Sequence, residues 1–226
     1  MKWVVISLIS LTGLVSCVKT DVLAEYLPYD FKVEGIAYNI ISENNLTVAV
    51  TGAEKPSSYK GNIVIPSTVV YDDKTYTVTQ LAYQCFLESD LNSITIPESI
   101  SYIIDSAFEG SQIKNLIIDD SNKSIAINKS LNYATIESAY IGRSISGNWI
   151  STSLDNLTLG KEVTKFSIQL TQPLTITLES EIPPIGDIEA TDEIFDNSII
   201  YVPPTAIRTY EDSDNWSKFK IILAAE

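Results

Sequence analysis

A short apolar block recurs along this chain, and it constrains the fold more than any other feature of the sequence. The clearest copies are Ile63-Val64-Ile65-Pro66 and Ile94-Thr95-Ile96-Pro97. Seven such blocks begin at Ile63, Ile94, Leu116, Ala139, Leu157, Ile176 and Ile200, at steps of 31, 22, 23, 18, 19 and 24 residues. A repeat of this kind is typical of a solenoid, in which successive units stack on one another.

Within each block an apolar residue alternates with a variable one, which is the pattern of a β-strand with one buried face. One strand cannot hide that face alone, but seven strands side by side form a parallel sheet over a continuous core. Proline, glycine or aspartate follows most blocks and would end each strand. The predicted inward pairs are Ile63/Ile65, Ile94/Ile96, Leu116/Ile118, Ala139/Ile141, Leu157/Leu159, Ile176/Leu178 and Ile200/Val202.

Between the predicted strands lies a second pattern, an aromatic residue preceded by a small one. Phe86 stands five residues before Leu91, and Phe108 stands five residues before Ile113. We expect both rings to insert into the core behind the sheet. Cys85 is the small residue beside Phe86, so we predict that it packs as a small apolar side chain rather than acting as a reactive thiol.

The segment 91–100, LNSITIPESI, followed by 103–108, IIDSAF, resembles the BspA-like leucine-rich repeats. In that family the unit reads roughly L-x-S-I-x-I-P-x-S-V-x-x-I-G-x-x-A-F-x-G-C. Ile104 stands where the family commonly has glycine, and after residue 116 the repeats keep the strand but lose the Ala-Phe signature. The resemblance covers about residues 60–226. It implies a β-rich leucine-rich-repeat solenoid with little helix, and surface-displayed members that bind host or microbial macromolecules.

The segments before and after the array are predicted to cap it, as repeat arrays require. Phe31–Ile40 and Leu46–Val50 predict a β-hairpin, Tyr71–Val78 predicts a tight turn, and Thr205–Lys220 predicts a helical segment. The aromatic anchors expected in that segment are Tyr210, Trp216 and Phe219. The predicted boundaries are 31–80 for the N-terminal β cap and first repeat, 81–199 for the degenerate repeats, and 200–226 for the last strand and short helical cap.

The first residues predict a targeting segment. Val4–Val15 is mostly apolar but too short to cross a bilayer core of about 30 Å, which needs roughly 20 apolar residues. It follows Lys2 and fits the apolar region of a secretory signal. Leu14-Val15-Ser16-Cys17 resembles the bacterial lipobox, in which the cysteine is acylated and becomes the new N-terminus.

This resemblance predicts a lipoprotein signal peptide at 1–16, lipid attachment at Cys17 and a tether at 17–30. The expected location is the cell envelope, with the lipid in the outer membrane and the domain displayed at the surface. Two alternatives stay open: the inner membrane, and an ordinary cleaved signal with a chance cysteine. If Cys17 carries lipid, Cys85 has no cysteine to pair with, since the sequence has two cysteines.

The charge of the chain excludes some partners. It carries 29 acidic and 15 basic residues, a formal net charge of −14. Such a surface repels nucleic acid backbones and anionic headgroups, so we predict no nucleic acid partner and contact with a membrane through the lipid alone. The acids are scattered and 45% of the residues are hydrophobic, which argues against a disordered acidic chain.

The outward positions of the predicted strands form two rows that carry no charge. The first is Asn62, Ser93, Asn115, Ser138, Asn156, Thr175 and Ile199, and the second is Val64, Thr95, Ile117, Tyr140, Thr158, Thr177 and Tyr201. We therefore expect the acids on turns and on the back of the solenoid. The predicted ligand-binding residues are Asn115, Ser138, Tyr140, Asn156, Thr158, Thr175, Thr177 and Tyr201.

These side chains are suited to hydrogen bonding and stacking on an extracellular protein or glycan. The simpler interpretation is that small polar and β-branched residues occupy solvent-facing sheet positions without any ligand. The leading hypothesis is a binding or adhesion module. The alternative is a structural or accessory subunit of a surface complex.

Enzymatic functions find little support in the sequence. No histidine is present, which removes histidine-based catalysis and most catalytic zinc sites. Glycines are scattered and form no phosphate-binding loop. A glycoside hydrolase using two carboxylates is the least favoured hypothesis, with Asp72/Asp73, Asp119/Asp120 or Asp192/Glu193 as its pair, because each pair lies at a predicted turn. We predict no enzyme, no catalytic residue, no metal and no cofactor.

Asp212-Ser213-Asp214 could open a calcium-binding EF-hand loop. Such a loop needs glycine at its sixth position and glutamate at its twelfth, where this chain has Ser217 and Leu223. The EF-hand is therefore excluded, and a looser calcium site stays an alternative.

Replacing Cys17 with serine is expected to abolish lipid attachment, because the lipid is joined to the protein through the cysteine sulfur. Radiolabelled palmitate should label the natural chain but not the variant, and the variant should leave the membrane fraction. Cys85→Ala is the matched control and should keep its label. Full labelling of Cys17→Ser would contradict the predicted anchor.

Overall fold

The computed structural model of the protein describes residues 29–54, 56–127 and 129–225. The predicted signal peptide, Cys17 and the tether through residue 28 lie outside the described residues, and they stay predictions.

Most of the described chain is built from short strands. In chain order they are β1 (Phe31–Val33), β2 (Ile36–Ser42), β3 (Thr47–Thr51), β4 (Lys60–Val64), β5 (Thr68–Tyr71), β6 (Lys74–Leu81), β7 (Asp90–Ile96), β8 (Tyr102–Ile103), β9 (Gln112–Ile118), β10 (Ile125–Ala126), β11 (Thr135–Ile141), β12 (Ile145–Ser146), β13 (Trp149–Ser151), β14 (Asn156–Leu159), β15 (Ile168–Leu170), β16 (Thr175–Leu178), β17 (Ile188–Glu189), β18 (Ile199–Val202) and β19 (Ile221–Ala224). The α-helices are α1 (Asp192–Asn197) and α2 (Ile207–Glu211), and short 3₁₀ turns cover Pro204–Ala206 and Trp216–Lys218.

Two long sheets face each other across the core. The front sheet has the order β19-β18-β16-β14-β11-β9-β7-β4, and its pairs are parallel. The back sheet runs β1-β2-β3-β6-β8-β10-β12, with β5 on β6, and a short sheet of β13-β15-β17 follows. The chain therefore alternates between front and back, as the predicted β-rich leucine-rich-repeat solenoid requires.

The predicted register of the seven blocks is confirmed. Ile94 pairs with Ile63 on one side and with Leu116 on the other, and the alignment continues to Ile200. Every predicted inward residue is buried except Ile63, which is half-buried because β4 lies at the edge of the sheet. Fully burying one such side chain stabilises the fold by about 1.5–3 kcal/mol.

The aromatic residues behind the front sheet form the predicted core. The rings of Phe86 and Phe108 are stacked, with centroids 5.2 Å apart and planes at 7°, and both are fully buried. The ring of Tyr59 continues this row, with its centroid 4.9 Å from that of Phe86. Cys85 is 1% exposed with its Sγ 3.8 Å from the Ala107 carbonyl oxygen, and burial raises the pKa of its thiol. Its predicted packing role is confirmed.

The N-terminal cap contains the predicted hairpin as β2 and β3, but the prediction of a single strand over Phe31–Ile40 was wrong, because a turn at Glu34 and Gly35 divides it into β1 and β2. β1, β2 and β3 pair antiparallel, and β3 then joins β6 in parallel, which links the cap to the repeats. β5 and β6 are joined by a two-residue turn at Asp72 and Asp73, whose φ values of 49° and 56° fit the tight hairpin turn predicted there.

The C-terminal cap differs from the single helical segment predicted over Thr205–Lys220. It consists of α2 between two 3₁₀ turns, and β19 then extends the front sheet by a strand that the sequence analysis did not identify. The anchors Tyr210, Trp216 and Phe219 are buried as predicted. Tyr210 donates to the Ser180 carbonyl at 2.8 Å and Trp216 to the Pro184 carbonyl at 3.0 Å, so the cap is tied to the last repeat.

The prediction that Asp192 and Glu193 lie at a turn was wrong. They form the first turn of α1, whose start is capped by the Thr191 side chain accepting from the Ile194 amide at 3.4 Å. Carboxylates are favourable at a helix start because they oppose the helix dipole, so these acids have a structural reason to be there. No helix in the described part of the chain is long and apolar enough to cross a membrane.

The turn around each buried phenylalanine needs two residues with positive φ. In one repeat these are Ser106 (60°) and Gly110 (67°), and in the preceding repeat Gln84 (51°) and Glu88 (52°) hold the same places. A left-handed conformation costs a side-chain-bearing residue roughly 1–2 kcal/mol, which glycine avoids.

Glu88→Gly is therefore expected to raise the free energy of unfolding by about 0.5–1 kcal/mol, less than the full strain because glycine loses more chain entropy on folding. Urea denaturation followed by tryptophan fluorescence measures the difference. Asp90→Gly removes the same charge two residues away in β7 and should instead destabilise the protein, since glycine weakens a strand. A Glu88→Gly variant less stable than the natural chain would contradict this explanation.

Candidate functional site

The eight predicted ligand-binding residues lie on the outer face of the front sheet. In-register pairing places Asn115, Ser138, Asn156 and Thr175 in one row, and Tyr140, Thr158, Thr177 and Tyr201 in a second. Neighbouring strands in a sheet are about 4.8 Å apart, so the five strands from β9 to β18 span roughly 19 Å. We call these eight residues the polar ladder.

Each member of the polar ladder reaches solvent. Asn115 and Asn156 are exposed and the other six are half-buried. The Asn115 side-chain amide donates to the Asn92 carbonyl at 3.2 Å. Next to the ladder, Ser93 donates to the Asn62 side-chain oxygen at 3.0 Å, so the row of small polar residues continues toward β4.

The front sheet also carries a third outward row, which the sequence analysis missed. In four successive repeats two exposed or half-buried residues, rather than one, separate the buried residues Leu91/Ile94, Ile113/Leu116, Ile136/Ala139 and Leu154/Leu157. The additional exposed residues are Asn92, Lys114, Glu137 and Asp155. The expectation that acids avoid this face is thus wrong at its amino-terminal margin. The three-residue spacing between apolar positions was the signal that strict alternation overlooked.

Acidic residues also line the opposite margin, where the front strands end. Glu98 follows β7, Asp119 and Asp120 follow β9, and Glu179 and Glu181 follow β16. Parallel strands end on the same side of a sheet, so these five residues share one edge, which we call the carboxyl border. A hollow of about 450 Å³, lined by Lys161, Glu179, Ser180, Glu181 and Pro203, opens beside it.

Tyr140 connects the polar ladder to this border. Its hydroxyl donates to Asp120 Oδ1 at 2.8 Å. Burial raises the pKa of the Tyr140 hydroxyl, and the hydrogen bond to Asp120 and the charges of Glu179 and Asp119 raise it further. Tyr140 therefore stays neutral and holds the Asp120 carboxylate in one orientation.

Two glycines make room for that carboxylate. A Cβ atom on Gly142 would lie 2.5 Å from the Asp120 backbone nitrogen and 2.6 Å from its Oδ1. On Gly160 it would lie 2.7 Å from the Tyr140 hydroxyl and 2.9 Å from Asp120 Oδ1. The side chain of Asp120 thus extends across the ends of β11 and β14, where any larger residue would displace it.

Arg143 ties the same edge together from inside. It is fully buried and donates from Nη1 to the Glu98 carbonyl and from Nη2 to the Pro97 carbonyl, both at 2.8 Å. Burial raises the pKa of Asp119, and the charge of Arg143 opposes that shift. The guanidinium joins the ends of β7 and β11 and is not available to a ligand.

The carboxylate pairs weighed for hydrolysis occupy three separate structural settings. Asp72 and Asp73 form the β5–β6 turn, Asp192 and Glu193 begin α1, and Asp119 and Asp120 belong to the carboxyl border. Among the described residues, no three cysteine, aspartate or glutamate side chains are grouped so that they could hold a metal ion.

Comparison with known proteins gives a family for the repeats. Residues 62–172 match the model of the BspA type leucine rich repeat region, in six copies. No curated protein matches the chain by sequence.

Solved structures similar to this chain include a leucine rich cell surface protein from Faecalibacterium prausnitzii (19% identity, TM-score 0.44, covering 85% of this chain and 58% of that one). A second is the pneumococcal vaccine antigen PcpA, with 19% identity and a TM-score of 0.45, covering 78% of this chain and 50% of that one. A third is a leucine-rich repeat protein from Bacteroides ovatus, with 19% identity and a TM-score of 0.34, covering 79% of this chain and 56% of that one. This chain spans between half and three fifths of the length of those proteins.

Gly142→Ala and Gly160→Ala should differ in their effect on stability. The new Cβ at position 142 meets backbone atoms of Asp119 and Asp120, which cannot move freely, so we expect a loss of about 1–3 kcal/mol. At position 160 its closest neighbours are the ends of the Tyr140 and Asp120 side chains, so a smaller loss is expected. Urea denaturation of both variants measures the contrast, and equal losses would contradict it.

Proposed function

We propose that this chain, which carries a BspA-type leucine-rich repeat region over residues 62–172, is a binding module of the cell envelope that holds an extracellular protein or glycan on its front sheet. The observation that carries the proposal is the polar ladder. Eight uncharged polar or aromatic side chains, none of them buried, are aligned across five parallel strands.

The dimensions of the polar ladder favour a long ligand over a small molecule. One hydrogen bond contributes about 0.5–1.5 kcal/mol net, whereas a micromolar dissociation constant corresponds to about 8 kcal/mol. Several residues of the polar ladder must therefore contact the ligand at the same time. Ladder residues on neighbouring strands are about 4.8 Å apart, a spacing that fits an extended polymer crossing the strands, such as a glycan chain or a protein segment.

The proposed location rests on the N-terminal segment. Val4–Val15 has the character of a secretory signal, and Leu14-Val15-Ser16-Cys17 resembles the lipobox. We therefore propose a lipoprotein attached through Cys17 to the outer membrane, with the solenoid displayed beyond it. Acyl chains contribute about 0.8 kcal/mol per buried CH₂, so several chains on one cysteine make a stable anchor.

No catalytic step is part of this proposal. The acidic pairs have structural surroundings that explain them: a hairpin turn, a helix start, and an edge where Asp120 accepts a hydrogen bond from Tyr140.

The proposal is tested by presenting the folded full chain to arrays of glycans and of host extracellular proteins. Tyr140→Ser/Thr158→Ala removes the aromatic ring of Tyr140 and the hydroxyl of Thr158 at the centre of the polar ladder. We expect at least about tenfold weaker binding, since a central aromatic contact is typically worth more than 1 kcal/mol. Circular dichroism and urea denaturation verify that the variant stays folded.

Tyr133→Ser/Thr152→Ala is the matched control, because both residues are exposed and lie outside the front strands. This double variant should bind as the natural chain does. A folded chain that binds nothing on either array would overturn the proposal, and so would equal losses in the two double variants.

A further inference from the structure

The two margins of the front sheet differ in charge. The amino-terminal margin is mixed, with Lys114 beside Glu137 and Asp155. The carboxyl border has five carboxylates. Lys161 is an exposed cation beside them, whereas Arg143 is buried under the edge. A ligand lying on the polar ladder therefore meets a neutral centre with a strongly negative edge on one side.

One carboxylate of the border is held in place before any partner arrives. Asp120 is fixed by the Tyr140 hydroxyl at 2.8 Å and fits over Gly142 and Gly160. An acceptor that is already oriented loses little conformational entropy on binding, so more of its interaction energy appears as affinity. Asp120 is also exposed, which leaves its second oxygen accessible to a partner.

An aromatic ring stands next to these acids, and a second lies further along the same row. Tyr140 lies beside Asp120, and Tyr201 lies in the same row on β18, next to β16 from which Glu179 follows. A guanidinium or ammonium group gains from a carboxylate and from an adjacent aromatic face at once, and arginine does so best because its planar group both stacks and donates in pairs. The edge thus combines the two features that recognise basic side chains.

Charge distinguishes a basic protein segment from a glycan at this edge. A neutral sugar carries no charge and gains no net Coulomb attraction from the border, and acidic sugars are repelled by it and by the formal net charge of −14. A basic protein segment is attracted by the carboxyl border, and the net negative charge of the chain also accelerates its approach.

We propose that the front sheet docks a protein segment whose Lys or Arg side chains lie along the carboxyl border while its neutral residues cover the polar ladder. This inference rests on the proposed function and selects between its two ligand classes. The border runs from β7 to β16 across five strands, about 19 Å, which an extended peptide of about six residues covers.

The probe is a fluorescein-labelled hexa-arginine peptide, with hexa-citrulline as its uncharged equivalent. Fluorescence anisotropy at low ionic strength should show binding of hexa-arginine to the full chain and none of hexa-citrulline. Salt should weaken the binding, since exposed charges are screened within about 10 Å at 0.1 M ionic strength.

Asp120→Asn/Glu179→Gln removes two border charges and leaves an amide oxygen able to accept from Tyr140. Its affinity for hexa-arginine should fall about three- to tenfold, given up to roughly 1 kcal/mol for each exposed ion pair. Asp212→Asn/Asp214→Asn is the matched control, because it removes the same charge from exposed residues of the C-terminal cap and should change affinity by less than twofold.

The outcomes separate the two proposals. Absence of hexa-arginine binding, or equal weakening in the two charge variants, overturns the basic-segment inference. Array binding to a glycan that depends on Tyr140 and Thr158 would likewise overturn it while leaving the proposed function in place. If substitution of Tyr140 and Thr158 leaves array binding unchanged, the proposed function is overturned instead. Selective loss in the border variant supports the inference.

Discussion

Parallel pairing between successive front strands is the constraint from which the rest of this structure follows. Each strand buries its inward side chains only when the next repeat pairs with it, because a lone strand has one uncovered apolar face. In-register pairing stacks Ile94 on Leu116 and likewise places Ser93 beside Asn115. The same contacts that build the core thus align the outer side chains into rows. A polar ladder crossing five strands is a direct consequence of how the core is stacked.

The edges of the solenoid show how local chemistry adapts that stack. At the carboxyl border, glycines at positions 142 and 160 leave space that Asp120 occupies, and Tyr140 holds its carboxylate. Buried Arg143 satisfies the carbonyls at the end of β7. These contacts join residues twenty or more positions apart, so they belong to the stack and not to any single repeat. These contacts make the charge and shape of the carboxyl border different from those of the opposite margin of the sheet.

Sequence reasoning succeeded where the signal is periodic. The seven strands, their register, and the buried Phe86 and Cys85 were predicted, because alternation of apolar residues reports directly which side chains face the core. Sequence reasoning failed where the spacing of apolar residues changes. The outward position of Lys114 was missed, because strict alternation places only one outward residue between two buried ones. The strand β19 was missed because four apolar residues after a cap have no alternation to identify them. Asp192 was assigned to a turn because its capping partner was not considered.

The sequence by itself determined the solenoid, because each repeat carries its own strand and turn signals and contacts mainly its neighbours. It also determined which residues form the polar ladder. Only the tertiary structure decided what surrounds the ladder. The approach of Asp120 to Tyr140, the burial of Arg143 and the acidic edge depend on side chains from different repeats meeting across strand ends. No local pattern specifies such meetings, because the distance between two strand ends is set by the stacking of the whole sheet.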